Sequence, residues 1–356
     1  MYRFILGELL KWKGRQRRKP LIIRGARQVG KTFIIRQFAQ EEFEHILEVN
    51  FDKQPELDEA IDRKSVSKTL QVLSTLFDTP IVDGKTLLFF DEIQAAPNAL
   101  PFLRYLFEER PGLHVVAAGS LLEFLLSDHS FSMPVGRIEY FFMGPMFFEE
   151  FLLALGKKRL LDFLCKFSVG DVIAGPIHEE LVHLTRLYCV IGGMPAAVSA
   201  YVHSRDIDEA LREHSSITNT YVDDFAKYGK RVNYQRLRRV FAKLPILVGK
   251  RVKYSKLGVE ARARELSADV QLLELARVIS RVCHSAGNGP PLGAEKKDKD
   301  FKLLFLDVGI LATSLGLRLP EVINEKALMS VHSGSVAEQF IGQHLLYSVP
   351  IYQNPC

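Results

Sequence analysis

The octet Gly25-Ala26-Arg27-Gln28-Val29-Gly30-Lys31-Thr32 contains the residue types needed to grip a triphosphate. Gly25 and Gly30 allow torsions and close approaches that a side chain would block. The N–H groups of the loop can then turn inward around a β-phosphate, at the positive end of the following helix. Lys31 reaches the β- and γ-phosphates, and the Thr32 hydroxyl can ligate Mg²⁺. Further along, the apolar run Leu87-Leu88-Phe89-Phe90 ends in the acidic pair Asp91-Glu92. Asp91 is placed to hold Mg²⁺ through its water shell, and Glu92 to orient or polarise an attacking water. A strand end capped by two solvated acids would explain the pair taken alone; the upstream loop favours the chemical reading. A water-activating carboxylate favours hydrolysis over phosphoryl transfer to a metabolite.

Three more positions are candidates. Val115-Val116-Ala117-Ala118 runs into Gly119-Ser120, where hydrolytic phosphate-loop enzymes with an inserted strand place a polar γ-phosphate sensor. Ser120 fits that role by position, and a Ser capping a helix at Leu121 fits equally well. Arg137, after Gly136, and Arg27 are candidates for an arginine that stabilises transferred charge, in cis or from a neighbouring subunit. Each also reads as a surface cation.

The elements that must position these residues follow from apolar patterning. Leu21-Ile22-Ile23-Arg24 is a short strand leading into the octet, and Phe33, Ile34, Ile35 and Phe38 give the helix after it an apolar face. Further strands are expected at 45–51, 86–90, 113–119 and 137–142, with helices at 65–77 and 99–109. Such alternation means a parallel sheet with crossover helices.

At 356 residues the chain has room for two or three domains. A hydrophobic share of 47% and a charged share of 25% place it among globular, not disordered, chains. Cys165, Cys189, Cys283 and Cys356 are scattered, without a CxxC pair or histidines at zinc-finger spacing. They read as reduced thiols of a cytoplasmic protein. No signal peptide is apparent, because Phe4-Ile5-Leu6 is too short an apolar core. The longest apolar stretch, near 187–201, is interrupted by Gly192, Gly193 and Pro195 and is too short for a bilayer. No membrane partner is expected.

The net charge of +5 conceals an asymmetry. Between 230 and 264 stand Lys230, Arg231, Arg236, Arg238, Arg239, Lys243, Lys250, Arg251, Lys253, Lys256, Arg262 and Arg264, against the single acid Glu260. A field of one sign on this scale attracts polyanions. A second basic run, 11–19, reads as a solvated charged face, with a nucleic-acid arm as the alternative.

The octet, Phe89-Phe90-Asp91-Glu92, Gly119-Ser120, and Gly136-Arg137 with 145–151 together resemble the motifs of a bacterial and archaeal AAA-type ATPase family. So do Gly192-Gly193-Met194-Pro195 and Phe305-Leu306-Asp307-Val308-Gly309. The resemblance runs from about residue 3 to the end. It implies ATP and Mg²⁺ as cofactors and ATP hydrolysis as the activity. It also implies a winged-helix segment and a C-terminal domain similar to restriction-endonuclease-like folds. That last domain is expected to be truncated, since Gly334–Phe340 looks like its opening helix and the sequence ends at Cys356. Phe340, Ile341, Leu345 and Leu346 would then form an exposed apolar face.

The sequence therefore predicts an α/β fold: a P-loop NTPase parallel sheet of AAA/ASCE type, followed by a helical lid and a winged-helix domain. Expected boundaries are 1–155 for the ATPase domain and 156–232 for the lid. The winged helix is expected at 233–318 and the truncated domain at 319–356. Within the winged helix, helices are expected at 235–247, 254–259 and 266–278, with wing strands at 278–282 and 302–306 joined by a loop over 285–299. Gly192–Pro195 reads as a lid hinge over the nucleotide or as a packed turn. Beyond ATP, the candidate partners are non-specific DNA through 230–264 and further copies of the chain. Glu265, Asp269 and Glu274 on the third helix argue against sequence reading by that element. A non-hydrolysing, ATP-gated binding module is the competing reading.

Overall fold

In a computed structural model the described residues are 1–120, 136–168, 170–225, 233–254, 257, 259–285, 297–317 and 333–354; over 297–300 the description covers the backbone alone. They divide into two compact units. The first comprises Arg3–Gly144 together with the segment from Val349; the second is essentially Pro145–Ser348. The division between the units falls at Gly144, and the chain re-enters the first unit after its last helix.

The first unit is built on a five-stranded sheet in the order β2-β3-β4-β1-β5. Its strands are β1 (Leu21–Arg24), β2 (His45–Asn50), β3 (Thr86–Asp91), β4 (His114–Gly119) and β5 (Glu139–Phe142). Every pairing is parallel, with Leu21 opposite Val116 and Glu139, and Asn50 opposite Asp91. A parallel sheet is covered on both faces, so its strands read as unbroken apolar runs instead of alternating ones. That is the pattern of Thr86–Asp91 and His114–Gly119, buried throughout. On one face Ile22, Leu88, Phe90, Val115 and Ala117 pack with residues of α3 (Val66–Leu76) and α4 (Ala99–Glu109). α2 (Lys31–Glu42) buries Ile34, Ile35 and Phe38. Each such side chain contributes roughly 1.5–3 kcal/mol on burial. Because β4 lies between β1 and β3, the loop after β1 and the acids ending β3 share the C-terminal edge of the sheet.

The basic run at 11–19 is in part the expected solvated face, with Lys11, Arg15 and Arg17 exposed, and in part packed into the first unit. Its first part lies in α1 (Ile5–Lys13), whose Trp12 is buried and donates from Nε1 to the Lys19 carbonyl at 2.9 Å. Lys11 pairs with Glu8, Lys13 with Glu42 and Arg15 with Glu139, and Arg18 donates to the Gly112 carbonyl. At the opposite end of the chain, the Phe142 N–H on the edge strand β5 donates to the Ile351 carbonyl at 2.9 Å.

The second unit is helical through α5 (Phe148–Ala154), α6 (Lys158–Lys166), α7 (Gly175–Ile191), α8 (Pro195–Ser204) and α9 (Ile207–Asp224). There follow α10 (Tyr234–Leu247), α11 (Ala263–Leu275), the antiparallel strands β6 (Ile279–His284) and β7 (Lys297–Phe305), α12 (Val308–Ser314) and α13 (Ser333–Tyr347). Val252 forms an isolated antiparallel bridge to Phe301 of β7. The expected helix at 254–259 falls partly outside the described residues. β7 begins earlier than expected, so 297–299 is strand and not loop.

The glycine motif at 192–195 is a packed turn. Gly192 has φ +68°, and a Cβ there would collide with Asp307 Oδ1. The Gly193 N–H donates to Asp307 Oδ2 at 2.7 Å, and its carbonyl accepts from the Met146 N–H. The other oxygen of Asp307 caps α12 through the Gly309 and Ile310 N–H groups. The expected apolar face of α13 is covered in part: Phe340 meets the Phe148 and Tyr188 rings, while Ile341 and Leu345 stay exposed. Cys165, Cys189 and Cys283 are free thiols, and burial pushes the Cys189 thiol up to about 12. Among the described residues no helix is long and apolar enough to cross a membrane.

Candidate functional site

β1 delivers the chain to Gly25, where a Cβ would strike the Met143 carbonyl oxygen; only glycine lets the loop start this close to the neighbouring segment. Gln28 (φ 65°) and Gly30 (φ 93°) both lie in the left-handed region. A left-handed residue before a helix turns successive amides to one side and forms an anion-binding concavity. Gly30 is also the N-cap of α2 and offers no side chain to fill that concavity. Ala26 and Val29 are fully buried, Arg27 is half-buried and Gln28 is exposed. Lys31 is 7% exposed, and its Nζ donates to the Gly25 carbonyl at 3.0 Å and the Ala26 carbonyl at 2.8 Å. The ammonium is therefore held across the loop it would serve.

The structure brings Thr32 and Asp91 together. The Thr32 hydroxyl lies 3.2 Å from each carboxylate oxygen of Asp91. Asp91 also accepts from Asn50 Nδ2 at 3.0 Å and from the Glu92 N–H at 3.1 Å. Burial raises the Asp91 carboxyl above its ordinary range, with the Glu92 charge adding to the rise and the Thr32 hydroxyl opposing it. A buried acid beside a second acid is a place where a cation relieves repulsion. Hydroxyl and carboxylate oxygens are the hard donors that Mg²⁺ takes, and it keeps the rest of its shell for water and phosphate. Among the described residues no group of three or more His, Cys, Asp or Glu could form an all-protein metal cage. The residues present therefore fit a Mg²⁺–triphosphate pair better than a resident metal.

Glu92 adopts φ 50°, ψ 44°, an uncommon conformation for a residue with a side chain. Its carboxylate accepts from Gln94 Nε2 at 2.5 Å and from the Ser120 hydroxyl at 3.4 Å. Ser120 thus reaches the acidic pair from the end of β4, as a sensor residue would need to. The helix it would alternatively cap lies outside the described residues.

Arg137 does not join this cluster. It precedes β5 at the N-terminal edge of the sheet, and its Nε donates to Glu108 at 3.1 Å. Parallel strands place the phosphate loop at the other edge, roughly 16 Å away along five residues of strand. The expectation of a cis arginine at this position is corrected by sheet direction alone.

Sequence reasoning missed Asn50 and Gln94. Asn50 closes the apolar strand β2 directly opposite Asp91, and that register is the signal it carried. Gln94 stands two residues past Glu92, in the short 3-10 turn Ile93–Ala95.

Comparison with known proteins agrees with this geometry. Residues 17–152 match the family model of an AAA domain, and residues 182–321 match that of a domain of unknown function, DUF8612. No curated protein matches the sequence. The Walker-type ATPase PABY2304 of Pyrococcus abyssi is similar in structure, with a TM-score of 0.53 at 16% identity over 88% of this chain and 95% of that one. The ORC2 protein of Aeropyrum pernix aligns with a TM-score of 0.37 at 15% identity, over 90% of this chain and 91% of its own. The RuvB branch migration motor of Thermotoga maritima gives 0.33 at 16% identity, over 78% and 86%. The parallel sheet, the AAA-domain match over 17–152 and the shared architecture of the Pyrococcus ATPase converge on one conclusion: the first unit has the fold of P-loop ATPases.

Proposed function

We propose that the chain is a Mg²⁺-dependent ATPase whose first unit binds and hydrolyses ATP. The observation that carries the reading is the Thr32 hydroxyl set against both oxygens of Asp91, beside a glycine-bounded loop that encloses Lys31. Bound Mg·ATP supplies a terminal phosphate whose charge is partly neutralised and whose leaving group is stabilised. The chain's own residues do the rest. Loop amides of 25–30 and Lys31 Nζ bind and orient the phosphates. Thr32 and Asp91 hold the metal side, with Asn50 keeping the Asp91 carboxylate in place. Glu92 takes the proton of the attacking water, and Ser120 fixes the carboxylate that does so.

Steady-state phosphate release by the purified chain tests this directly. Turnover clearly above a Lys31→Ala blank is expected, because the lysine carries the charge the phosphates need. Release no faster than the blank, with tight nucleotide binding intact, would instead support an ATP-gated binding module.

The second unit supports a basic winged-helix module over 233–318, moved by the nucleotide state of the first. Helices α10 and α11 and the β6–β7 hairpin, bridged by Val252, occur in that order. The acids that argued against sequence reading by the third helix are held in ion pairs. Arg236 binds Asp269 at 2.6 Å and Glu265 at 2.8 Å, and Arg281 pairs with Glu274. Exposed Arg238, Arg239, Lys243, Lys250, Lys253 and Arg264, by contrast, form no ion pair among the described residues. Lys11, Lys13 and Arg15 of the first unit's basic run are paired, whereas these six cations of the second unit are left uncompensated among the described residues. Double-stranded nucleic acid is the partner we assign to them, through phosphate contacts. In a salt titration, replacing Arg238, Arg239 and Lys243 by Ala should weaken duplex binding and reduce the log–log salt slope by about 2–3. A duplex that fails to bind at low salt, or binds the triple variant equally well, refutes this partner.

A further inference from the structure

The phosphate loop is held from behind by an arginine that belongs to neither nucleotide motif. Arg3 is 6% exposed. Its Nη1 donates to the Val29 carbonyl at 2.9 Å, and its Nη2 donates to the Gly144 carbonyl at 2.8 Å. Val29 is in the loop; Gly144 ends the first unit's main segment and is joined covalently to Pro145 of the second. The same exit segment touches the start of the loop as well. The Met143 N–H donates to the Arg24 carbonyl at 2.8 Å, and the Met143 carbonyl occupies the space a Gly25 side chain would need. Residues 143–144 are therefore fixed to the loop at both ends, directly at Arg24–Gly25 and through a planar guanidinium at Val29. A buried guanidinium is costly unless its donors are satisfied, and these two backbone carbonyls each take an N–H of a rigid planar group.

We propose that Arg3 is a positioning residue that couples occupancy of the phosphate loop to the junction at Gly144–Pro145. The proposal rests on the nucleotide-binding reading of that loop. Its physical route starts at Lys31, whose Nζ donates to the Gly25 and Ala26 carbonyls. Phosphates that draw the ammonium toward themselves release those carbonyls, and the Gly25 peptide can then shift only against Met143. Arg3 makes the shift common to Val29 and Gly144, so the loop and the exit segment move as one body. Packed contacts of this kind switch between discrete arrangements instead of deforming gradually.

Hydrogen exchange on the full chain, with and without Mg·ADP, tests the coupling while a fluorescent nucleotide titration and a melting scan monitor binding and folding. In the wild type, nucleotide should slow exchange across 143–147 by about three-fold or more. Arg3→Gln should bind nucleotide within about ten-fold of wild type, yet lose at least half of that protection. Arg3→Lys keeps the charge but not the planar group and should lose it too; it also serves as the second variant should Arg3→Gln fold poorly. Wild-type protein that binds nucleotide without any response at 143–147 overturns the coupling. So do folded variants that keep the full response or lose nucleotide binding altogether. Wild-type protein that binds no nucleotide refutes the reading of the loop itself, a separate and recognisable failure.

Discussion

Replacing Glu92 by Gln separates the chemical from the binding function of the site. The substitution preserves size and leaves the left-handed backbone at φ 50° unchanged. The carboxamide oxygen of that variant can still accept from Gln94 and Ser120, so the local framework should stay intact. What disappears is the group that accepts a proton from water. General-base catalysis is worth about 10²–10⁴ in rate, or ~3–5 kcal/mol of barrier. Nucleotide affinity should hold within about three-fold, because the loop amides, Lys31, Thr32 and Asp91 are untouched. A second consequence follows from Asp91, whose raised pKa owes part of its rise to the Glu92 charge after burial. Removing that charge should stabilise the fold by about 1 kcal/mol, seen as a melting point higher by roughly 2–4 °C. Phosphate release at saturating Mg·ATP and a thermal scan measure both effects on one sample. Turnover within ten-fold of wild type would remove Glu92 as the base. A lower melting point would show that the two carboxylates do not repel each other across this site.

Two further predictions concern the frame around the site. His114 is wedged edge-on between Trp12 and Phe43, and burial, aided by the Arg18 charge, pushes its pKa down to about 4. The unfolded chain takes up a proton near pH 6.5 and the folded one only near 4, so stability should fall by up to about 3 kcal/mol as pH drops through that window. His114→Phe should flatten this part of the urea-midpoint profile, and an unchanged slope would refute the assignment. Gly192→Ala places a Cβ against Asp307 Oδ1 at a left-handed φ, so the second unit should lose about 2–4 kcal/mol. A chemical melt showing less than about 1 kcal/mol of loss would mean that the turn relaxes cheaply.

In the first unit the chemistry was legible because it is written in consecutive residues. The octet, the Asp91-Glu92 pair and the buried strands carry their spacing within single elements, and the observed strand bounds fall within a residue or two of those expected. What could not be read depends on pairs far apart in the chain. The cations of 11–19 look free until Glu42 and Glu139 are seen beside Lys13 and Arg15. Arg137 looks available in cis until the strand direction sets it at the opposite edge of the sheet from the loop. Arg3 has no neighbours in sequence that mark it; only the fold brings Val29 and Gly144 within reach of one guanidinium.

The second unit resists sequence reading for a different reason: its interior is partly polar. Patterning assigns Phe340, Ile341, Leu345 and Leu346 to a face of α13, yet the face that is buried carries Gln339 and Gln343. Gln339 acts as an extra backbone unit, accepting from the Phe305 N–H and donating to its carbonyl, each at 2.7 Å. Gln343 accepts from the Val308 N–H and donates to the Tyr188 hydroxyl. The fully buried Asp307 lies in the same network; burial raises its carboxyl, and the nearby His214 opposes the rise. A buried polar group is tolerated only when its partners are complete. These partners come from segments around 193, 214, 307 and 343, so neither helix period nor hydropathy could reveal them. Gly192–Pro195, read from sequence as a lid hinge or a packed turn, and the Phe305–Gly309 motif are the two halves of this single polar joint. Its completeness is what lets a helix with glutamines on its inner face dock at all.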